Sequence, residues 1–376
     1  MNRRQFLVSV GAVGAGLALP AAANTPATPS RPLKASSIWV DGQGALDGLE
    51  PAGEGKLVPT QRLIDAIKQR RIDLISLTIA EVGNGPSRFQ GAVESITWWD
   101  QLIQRHSKLF AKIESAADIR AAREAGKLGL IYNFQDTTPF EADPDKVATF
   151  ATLGVKVMQL TYNKRNIAGD GCLERANAGL SDFGREVIAK INEANVLLDL
   201  SHAGQRTIAE GIAESKAPLA ITHSGCRALV DLPRNVHDAE LRALAAKGGV
   251  FGVYLMPFIK AQGQPGTEDL QRHLAHAVNV CGEDHVGIGT DNPLMGYTID
   301  DKMREEHRKF FESRTKRGIA APGETADVFN LVEGYNSVDR YDRLAADLRA
   351  LGWSSARVDK VLGGNFVRLF REVWKA

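Results

Sequence analysis

From residue 37 onward, short apolar runs alternate with longer stretches in which apolar residues recur every three or four positions. Eight runs read as strands, at 37–42, 73–80, 128–136, 155–163, 195–202, 218–224, 249–256 and 285–292. They are rich in Val, Ile and Leu and do not strictly alternate with polar residues, the pattern of parallel strands buried on both faces. The stretches 61–71, 98–114, 145–153, 181–194, 205–215, 238–246 and 267–280 read as amphipathic helices, and Thr60, Ser181 and Asp238 are candidate N-caps. Eight strands alternating with helices, over roughly the length of ~250 residues common for the fold, predict an α/β protein of the (β/α)8 TIM-barrel type. After the eighth run, the charged segment 292–325 reads as an insertion, helical over 300–317, with Pro322-Gly323-Glu324 as a loop. The stretches 341–351 and 354–374 read as a C-terminal helical extension, with Gly363-Gly364-Asn365 as a helix start inside the second. An open doubly wound sheet is the alternative. Eight strands with polar residues gathered at their ends favour the barrel.

The first 30 residues break this pattern. Arg3-Arg4-Gln5-Phe6-Leu7 precedes an apolar stretch from Val8 to Leu19, and Ala21, Ala22 and Ala23 supply a small-residue cleavage site before Asn24. The apolar stretch is short and glycine-rich for a membrane span. A twin arginine in this place directs bacterial export, so the expected location is periplasmic or secreted. The domain reading is a signal segment at 1–30 and a single barrel domain at 31–376. Composition adds exclusions: 46 Lys and Arg against 45 Asp and Glu leave a net charge of +1, which argues against nucleic acid or an acidic membrane surface as a bulk partner. Cys172, Cys226 and Cys281 form no CxxC pair and read as small buried apolar side chains.

Candidate chemistry lies at the ends of the runs. The fifth ends Leu198-Asp199-Leu200-Ser201-His202, the sixth Thr222-His223-Ser224, and the eighth Gly289-Thr290-Asp291. Barrel enzymes keep their active sites at the C-terminal ends of strands. His202 and His223 hold equivalent places on neighbouring strands, and imidazoles so placed can share one divalent ion with a carboxylate such as Asp291 completing the set. The other histidines read as non-ligands. His273 and His276 share an outer helix face, and His106 and His307 sit in charged, solvated helical contexts. His237 caps the helix that begins near Asp238, and His285 opens the last strand at the wrong end of the barrel.

An ordered set of phrases runs through these positions. It comprises Gly179-Leu180-Ser181-Asp182-Phe183-Gly184, Leu198-Asp199-Leu200-Ser201-His202, Thr222-His223-Ser224, Pro233-Arg234-Asn235-Val236 and Gly289-Thr290-Asp291, closing with Gly363-Gly364-Asn365-Phe366-Val367-Arg368-Leu369-Phe370. In order and approximate spacing this set resembles the membrane (renal) dipeptidase family of amidohydrolase-like enzymes, over about residues 37–374. The resemblance implies a TIM barrel holding two zinc ions. His202 and His223 would ligate the second zinc, Asp291 would lie at the first and transfer protons, and Arg234 would bind the free carboxylate of a dipeptide, for which a bidentate guanidinium is suited.

The same alignment exposes departures. The family's His-x-Asp at the first strand end falls on Gln43 and Ala45, its bridging glutamate on Gln135, and a substrate-holding histidine on Tyr162. Alanine cannot ligate, and glutamine is a weak neutral ligand. The cofactor expectation is therefore zinc as one ion, or none, with Asp47 and Asp136 as nearby substitutes for the lost carboxylates. The functional reading is an exported metal-dependent hydrolase of dipeptides or related small amides. Two others stay open: a metal-free acid–base enzyme (a lyase, an isomerase or a tailoring enzyme) on the same barrel, using Asp291, His202, His223 and Tyr162, or an inactive binding homologue. Expected partners are a small-molecule or dipeptide substrate and the twin-arginine export machinery, without nucleic acid; a homodimer is left open.

Overall fold

A computed structural model describes residues 37–53, 56–83 and 88–375. The signal-like segment 1–30 lies outside the described residues, and among the described residues no helix is long and apolar enough to cross a membrane. Strands β1 (Val40–Gly44), β2 (Leu49–Pro51), β3 (Leu57–Pro59), β4 (Leu74–Thr78), β5 (Phe110–Lys112), β6 (Leu128–Phe134), β7 (Val155–Gln159), β8 (Leu197–Asp199), β9 (Ala220–Ser224), β10 (Val250–Val253) and β11 (Val286–Ile288) follow in chain order. The main sheet runs β1-β4-β6-β7-β8-β9-β10-β11, with every pairing parallel. The two ends meet beyond β1 and β11, where Asp291 N donates to Gln43 O at 2.7 Å and Ala45 N to Asn292 O at 3.1 Å. This is the expected eight-stranded barrel, each of whose strands falls within or beside one of the apolar runs.

Helices α1 (Gln61–Lys68), α2 (Arg88–Arg105), α3 (Ala116–Glu124), α4 (Lys146–Thr152), α5 (Asp182–Glu193), α6 (Gln205–Glu214), α7 (Asp238–Ala246) and α8 (Thr267–Cys281) alternate with the barrel strands. Their apolar stripes bury Leu63, Ile96, Leu102, Ile188, Ile208, Leu241 and Leu274 against the outer faces of the strands. Thr60 and Ser181 cap α1 and α5 through their hydroxyls, as expected. Asp238 does not cap α7. His237 holds the N-cap position without a side-chain bond, and the Asp238 carboxylate instead accepts from His276 Nε2 at 2.9 Å. The stretch 98–114 is not one helix, because α2 begins at Arg88 and ends before β5, which pairs with the start of β6. Nor were α3, opened by a capping box between Ser115 and Asp118, or the β2–β3 hairpin anticipated.

The C-terminal extension consists of α10 (Arg340–Ala350), α11 (Ser355–Asp359) and α12 (Asn365–Trp374). Its last helix plugs the N-terminal mouth of the barrel: Phe366, Leu369, Phe370 and Trp374 join buried strand residues, among them the first residues Val40, Leu74, Leu197 and Val250. The Phe366 ring lies so close to Gly42 and Gly287 that a Cβ on either would sit within about 2.6 Å of it. The opposite, C-terminal end is the one that carries His202, His223 and Asp291. There α9 (Asp301–Lys316), the predicted helical insertion, and the turn after it pack over the end of β7.

Candidate active site at the C-terminal end of the barrel

Asp199, the last residue of β8, is the latch that builds the centre of the site. Its buried carboxylate accepts from Ser201 N and Oγ at 2.9 and 2.7 Å, and from Thr222 N and Oγ1 at 3.0 and 2.6 Å. Two adjacent strand ends are thereby held in one register. On them sit His202 and His223, both buried, with Nε2 atoms 2.9 Å apart. The outer nitrogens fix the tautomers. Asn163 donates through Nδ2 to Ile319 O, so its Oδ1 faces His202 Nδ1 at 2.7 Å and can only accept. Thr222 gives its proton to Asp199, so its oxygen accepts from His223 Nδ1 at 2.8 Å. Both Nε2 atoms are thus bare lone pairs facing one another. Burial pushes both imidazoles well below their ordinary pKa, and the nearby Arg234 guanidinium adds to the effect. Two neutral lone pairs at this separation repel, and an ion shared between them relieves the repulsion.

Around this pair the structure gathers the other chemistry-bearing residues. Tyr162 stacks on His202, with ring centroids 4.1 Å apart and an angle of 24°. Arg234 is buried on the loop after β9. Ser224 Oγ holds its carbonyl at 2.6 Å, and the neighbouring Asn235 side chain bridges Val230 O and Phe258 O. Its guanidinium lies 5.6 Å from the centre of the Tyr254 ring, and no carboxylate among the described residues pairs with it. Asp291 follows β11, and its carboxylate makes no hydrogen bond or ion pair among the described residues. Burial raises its pKa to about 6, with Arg234 and Arg314 pulling the other way. His202 and Asp291 share a further property: both adopt positive φ, 61° and 55°. Non-glycine residues enter this region at a cost of about 1–2 kcal/mol, and such strain concentrates at functional sites.

The altered positions lie at the same end and are occupied otherwise. The Gln43 amide donates to Thr78 Oγ1 at 2.9 Å and accepts from Asn133 Nδ2 at 3.0 Å, and Asn133 in turn donates to Ser76 Oγ at 2.8 Å. Ala45 bridges to Pro293, and the backbone carbonyl of Gln135 accepts from the Gln159 side-chain amide. The two suggested substitutes serve the backbone instead. Asp47 accepts from Met295 N at 2.7 Å, and Asp136 accepts from Gly83 N and Thr138 N at 2.6 and 3.0 Å. Among the described residues no group of three or more His, Cys, Asp or Glu side chains is placed to hold a metal ion.

Several expectations for other residues change. His273 is not an outer-face residue. It is fully buried, accepting from Cys226 N at 3.0 Å and facing Ile259 O at 3.1 Å. His307 is also buried, against Thr325 O and the Phe329 ring. His106 is half-buried against Leu57 O, and His285 faces Gly249 O at the start of the last strand. Cys226 and Cys281 are buried as expected, but Cys172 is only partly so and lines the site, 3.5 Å from Asn163 Oδ1 and beside Arg234. Sequence reasoning missed Asn163, Tyr254, Arg314 and Glu324. Asn163 closes the fourth apolar run and carried a signal by that place alone, whereas Arg314 is one cation among many on a charged helix.

The profile of the membrane dipeptidases, peptidase family M19, matches residues 62–301. A crystal structure of an amidohydrolase from Pseudomonas aeruginosa is 33% identical, covers 91% of this chain and 98% of its own, and has a TM-score of 0.77. An uncharacterized Klebsiella pneumoniae protein in the pqqA 5′ region is 28% identical over 286 residues, which cover 73% of this chain and 93% of its own length. The dipeptidase tcpJ of Claviceps purpurea is 25% identical over 306 residues, covering 78% of this chain and 64% of its own, so less than two thirds of that relative is represented here.

Proposed function

The chain belongs to the membrane dipeptidase family, and on that premise we propose that it is an exported hydrolase of dipeptides or related small amides that works with one divalent ion, zinc by the family's precedent. The observation that carries this reading is the pair of buried, neutral imidazoles whose bare Nε2 atoms face one another 2.9 Å apart. The described residues offer one ion two imidazole ligands, His202 and His223, with no third side chain placed beside them. This donor set does not suit the two-ion centre implied by the family, because Gln43, Ala45 and Gln135 supply no carboxylate or imidazole. An ion so held would polarise the scissile carbonyl as a Lewis acid.

The chain's own residues supply the rest. Arg234 takes the substrate's terminal carboxylate; its guanidinium is buried and has no carboxylate partner among the described residues, which leaves it ready to receive one. Asp291, ionised above about pH 6, accepts a proton from the attacking water and hands it to the departing amine. Water oxygen bonds to the carbonyl carbon, the C–N bond breaks, and two amino acids leave. Tyr162, stacked on His202, lines the substrate side of the pair.

The test is metal content together with turnover. Protein from Asn24 onward, reconstituted with zinc, is expected to bind one equivalent and to hydrolyse members of a dipeptide panel, to stop on chelation and to recover on zinc return. Failure to bind or hydrolyse with any divalent ion tried would end the hydrolase reading and leave acid–base chemistry by Asp291 without a metal. Two equivalents bound would show that the missing ligands have been replaced.

Export rests on Arg3-Arg4 followed by the apolar stretch and the alanines before Asn24. Intact-mass measurement of protein recovered from the periplasm is expected to give Asn24, or a close neighbour, as the first residue. Retention of Met1 in most molecules, or recovery from the cytoplasm alone, would contradict it.

A further inference from the structure

We propose that Arg314, carried by the insertion helix α9 and braced by Glu324, is a positioning residue that orients the Tyr162 hydroxyl to donate a hydrogen bond to an oxygen of the bound substrate. The inference rests on the hydrolase reading above. Arg314 and Glu324 form a forked pair, Nε to Oε2 at 2.6 Å and Nη2 to Oε1 at 2.8 Å, with side chains only 13% and 7% exposed. Glu324 is itself held, because its Oε1 accepts from Ala321 N at 3.0 Å across the Pro322-Gly323 turn. Gly323 sits there at φ 99°, which lets the chain reverse. With the Nε/Nη2 edge of the guanidinium taken by Glu324, and Nη2 donating also to Ile319 O at 3.2 Å, Nη1 reaches the Tyr162 hydroxyl at 3.5 Å.

Donor and acceptor chemistry decides where the phenol proton points. A guanidinium has no acceptor atom, so in this contact the phenol oxygen accepts. Its own hydrogen is then left over, and among the described residues the phenol has no other hydrogen-bond partner. Stacking on His202 fixes the ring, and Arg314 fixes which side of the oxygen is occupied. The proton is therefore directed elsewhere, and beside the imidazole pair the acceptor of matching chemistry is a substrate oxygen, above all one gaining negative charge. Because Glu324 neutralises Arg314, the arginine contributes direction more than net charge. The same segment also contacts Asn163, through Ile319 O, so the insertion touches two of the neighbours of His202, Tyr162 and Asn163.

The experiment is a double-mutant cycle on the zinc-loaded full chain, with tyrosine Raman spectra as a readout independent of turnover. Tyr162→Phe is expected to lower kcat about 10- to 100-fold with little change in KM. Arg314→Lys keeps the charge but cannot fork to Glu324 and Tyr162 together, and is expected to lower kcat about 3- to 10-fold. The double variant should be no slower than Tyr162→Phe alone, whereas a merely structural role for Arg314 would add its cost to that of the tyrosine. In the Raman difference between natural protein and Tyr162→Phe, Tyr162 should show the signature of a hydrogen-bond acceptor, and Arg314→Lys should diminish it. If Arg314→Lys proves poorly folded, Glu324→Gln, which weakens the brace alone, should move both readouts in the same direction. Additive losses in kcat, or an acceptor signature indifferent to both variants, would overturn the proposal. Absence of dipeptide turnover in the natural protein would strike the hydrolase reading instead, and the Raman comparison would still decide whether Arg314 orients Tyr162.

Discussion

Asp291→Asn is expected to lower kcat for dipeptide hydrolysis by about 100- to 10,000-fold, the range of a general acid–base group, while leaving zinc content unchanged. The substitution is informative because of the backbone. Residue 291 sits at φ 55° and its N–H donates to Gln43 O, closing the barrel. Asn tolerates this region nearly as well as Asp, so Asp291→Asn removes the titrating oxygen and keeps the local fold, whereas alanine would confound the two. Burial raises Asp291 to about pKa 6 in the metal-free protein, and a divalent ion nearby would favour the charged form and pull that value down. Activity requires the ionised form, so it falls as pH drops through the pKa. An acid limb of kcat/KM at or below about pH 6 is expected in the natural enzyme and should vanish in the variant. By contrast His223→Ala should lose metal and turnover together, since a single imidazole remains. Arg234→Ala should mainly raise KM, because a carboxylate clamp engages ground state and transition state alike. Bound zinc measured beside kcat separates the three; an Asp291→Asn variant that kept full kcat would remove Asp291 from the mechanism.

The parts of this architecture that were legible in the sequence are those governed by burial period. Strands buried on both faces leave uninterrupted Val, Ile and Leu runs, and all eight barrel strands could be placed from them. Short elements escaped because too few residues carry a period. β5 has three residues and falls inside a stretch that reads as helical, and β2 and β3 are a hairpin of three-residue strands with little burial. At the site, the phrases that stand out in the sequence divide into two kinds in the structure. Leu198-Asp199-Leu200-Ser201-His202 and Thr222-His223-Ser224 are halves of one latch, with Asp199 binding both. Gly363-Gly364-Asn365-Phe366 has no part in the chemistry: Asn365 ties the last helix to Glu283 O and Val286 O, and Phe366 fills the barrel floor. Arg314 was invisible because its role depends on where a 16-residue charged helix folds back. His273 misled for a related reason, since its helical spacing shows which face it shares but not that this face meets Cys226 and Ile259.

Restoring the lost carboxylates and imidazole should produce the largest gain of function available to this chain, and only as a set. Gln43→His, Ala45→Asp and Gln135→Glu together are expected to bind a second zinc and raise dipeptide kcat/KM by at least about tenfold, whereas each alone should change metal stoichiometry little, because a site still lacking two ligands binds weakly. The natural network sets a cost. Gln43 both donates to Thr78 and accepts from Asn133, and a histidine there cannot reproduce both bonds in the amide's geometry. Leaving a buried partner unsatisfied costs about 1–3 kcal/mol, so the metal-free triple variant should unfold at lower urea than the natural protein. Binding repays this by mass action, about 2.7 kcal/mol at a free ion concentration 100 times Kd, so the deficit should close as zinc is added. That dependence identifies the second ion independently of turnover: a zinc titration of the urea midpoint should be steep for the triple variant and shallow for the three single ones. A triple variant that stays less stable at saturating zinc, with one equivalent bound, would mean that Gln43, Ala45 and Gln135 do not occupy ligand positions and that the alignment placing them there is out of register.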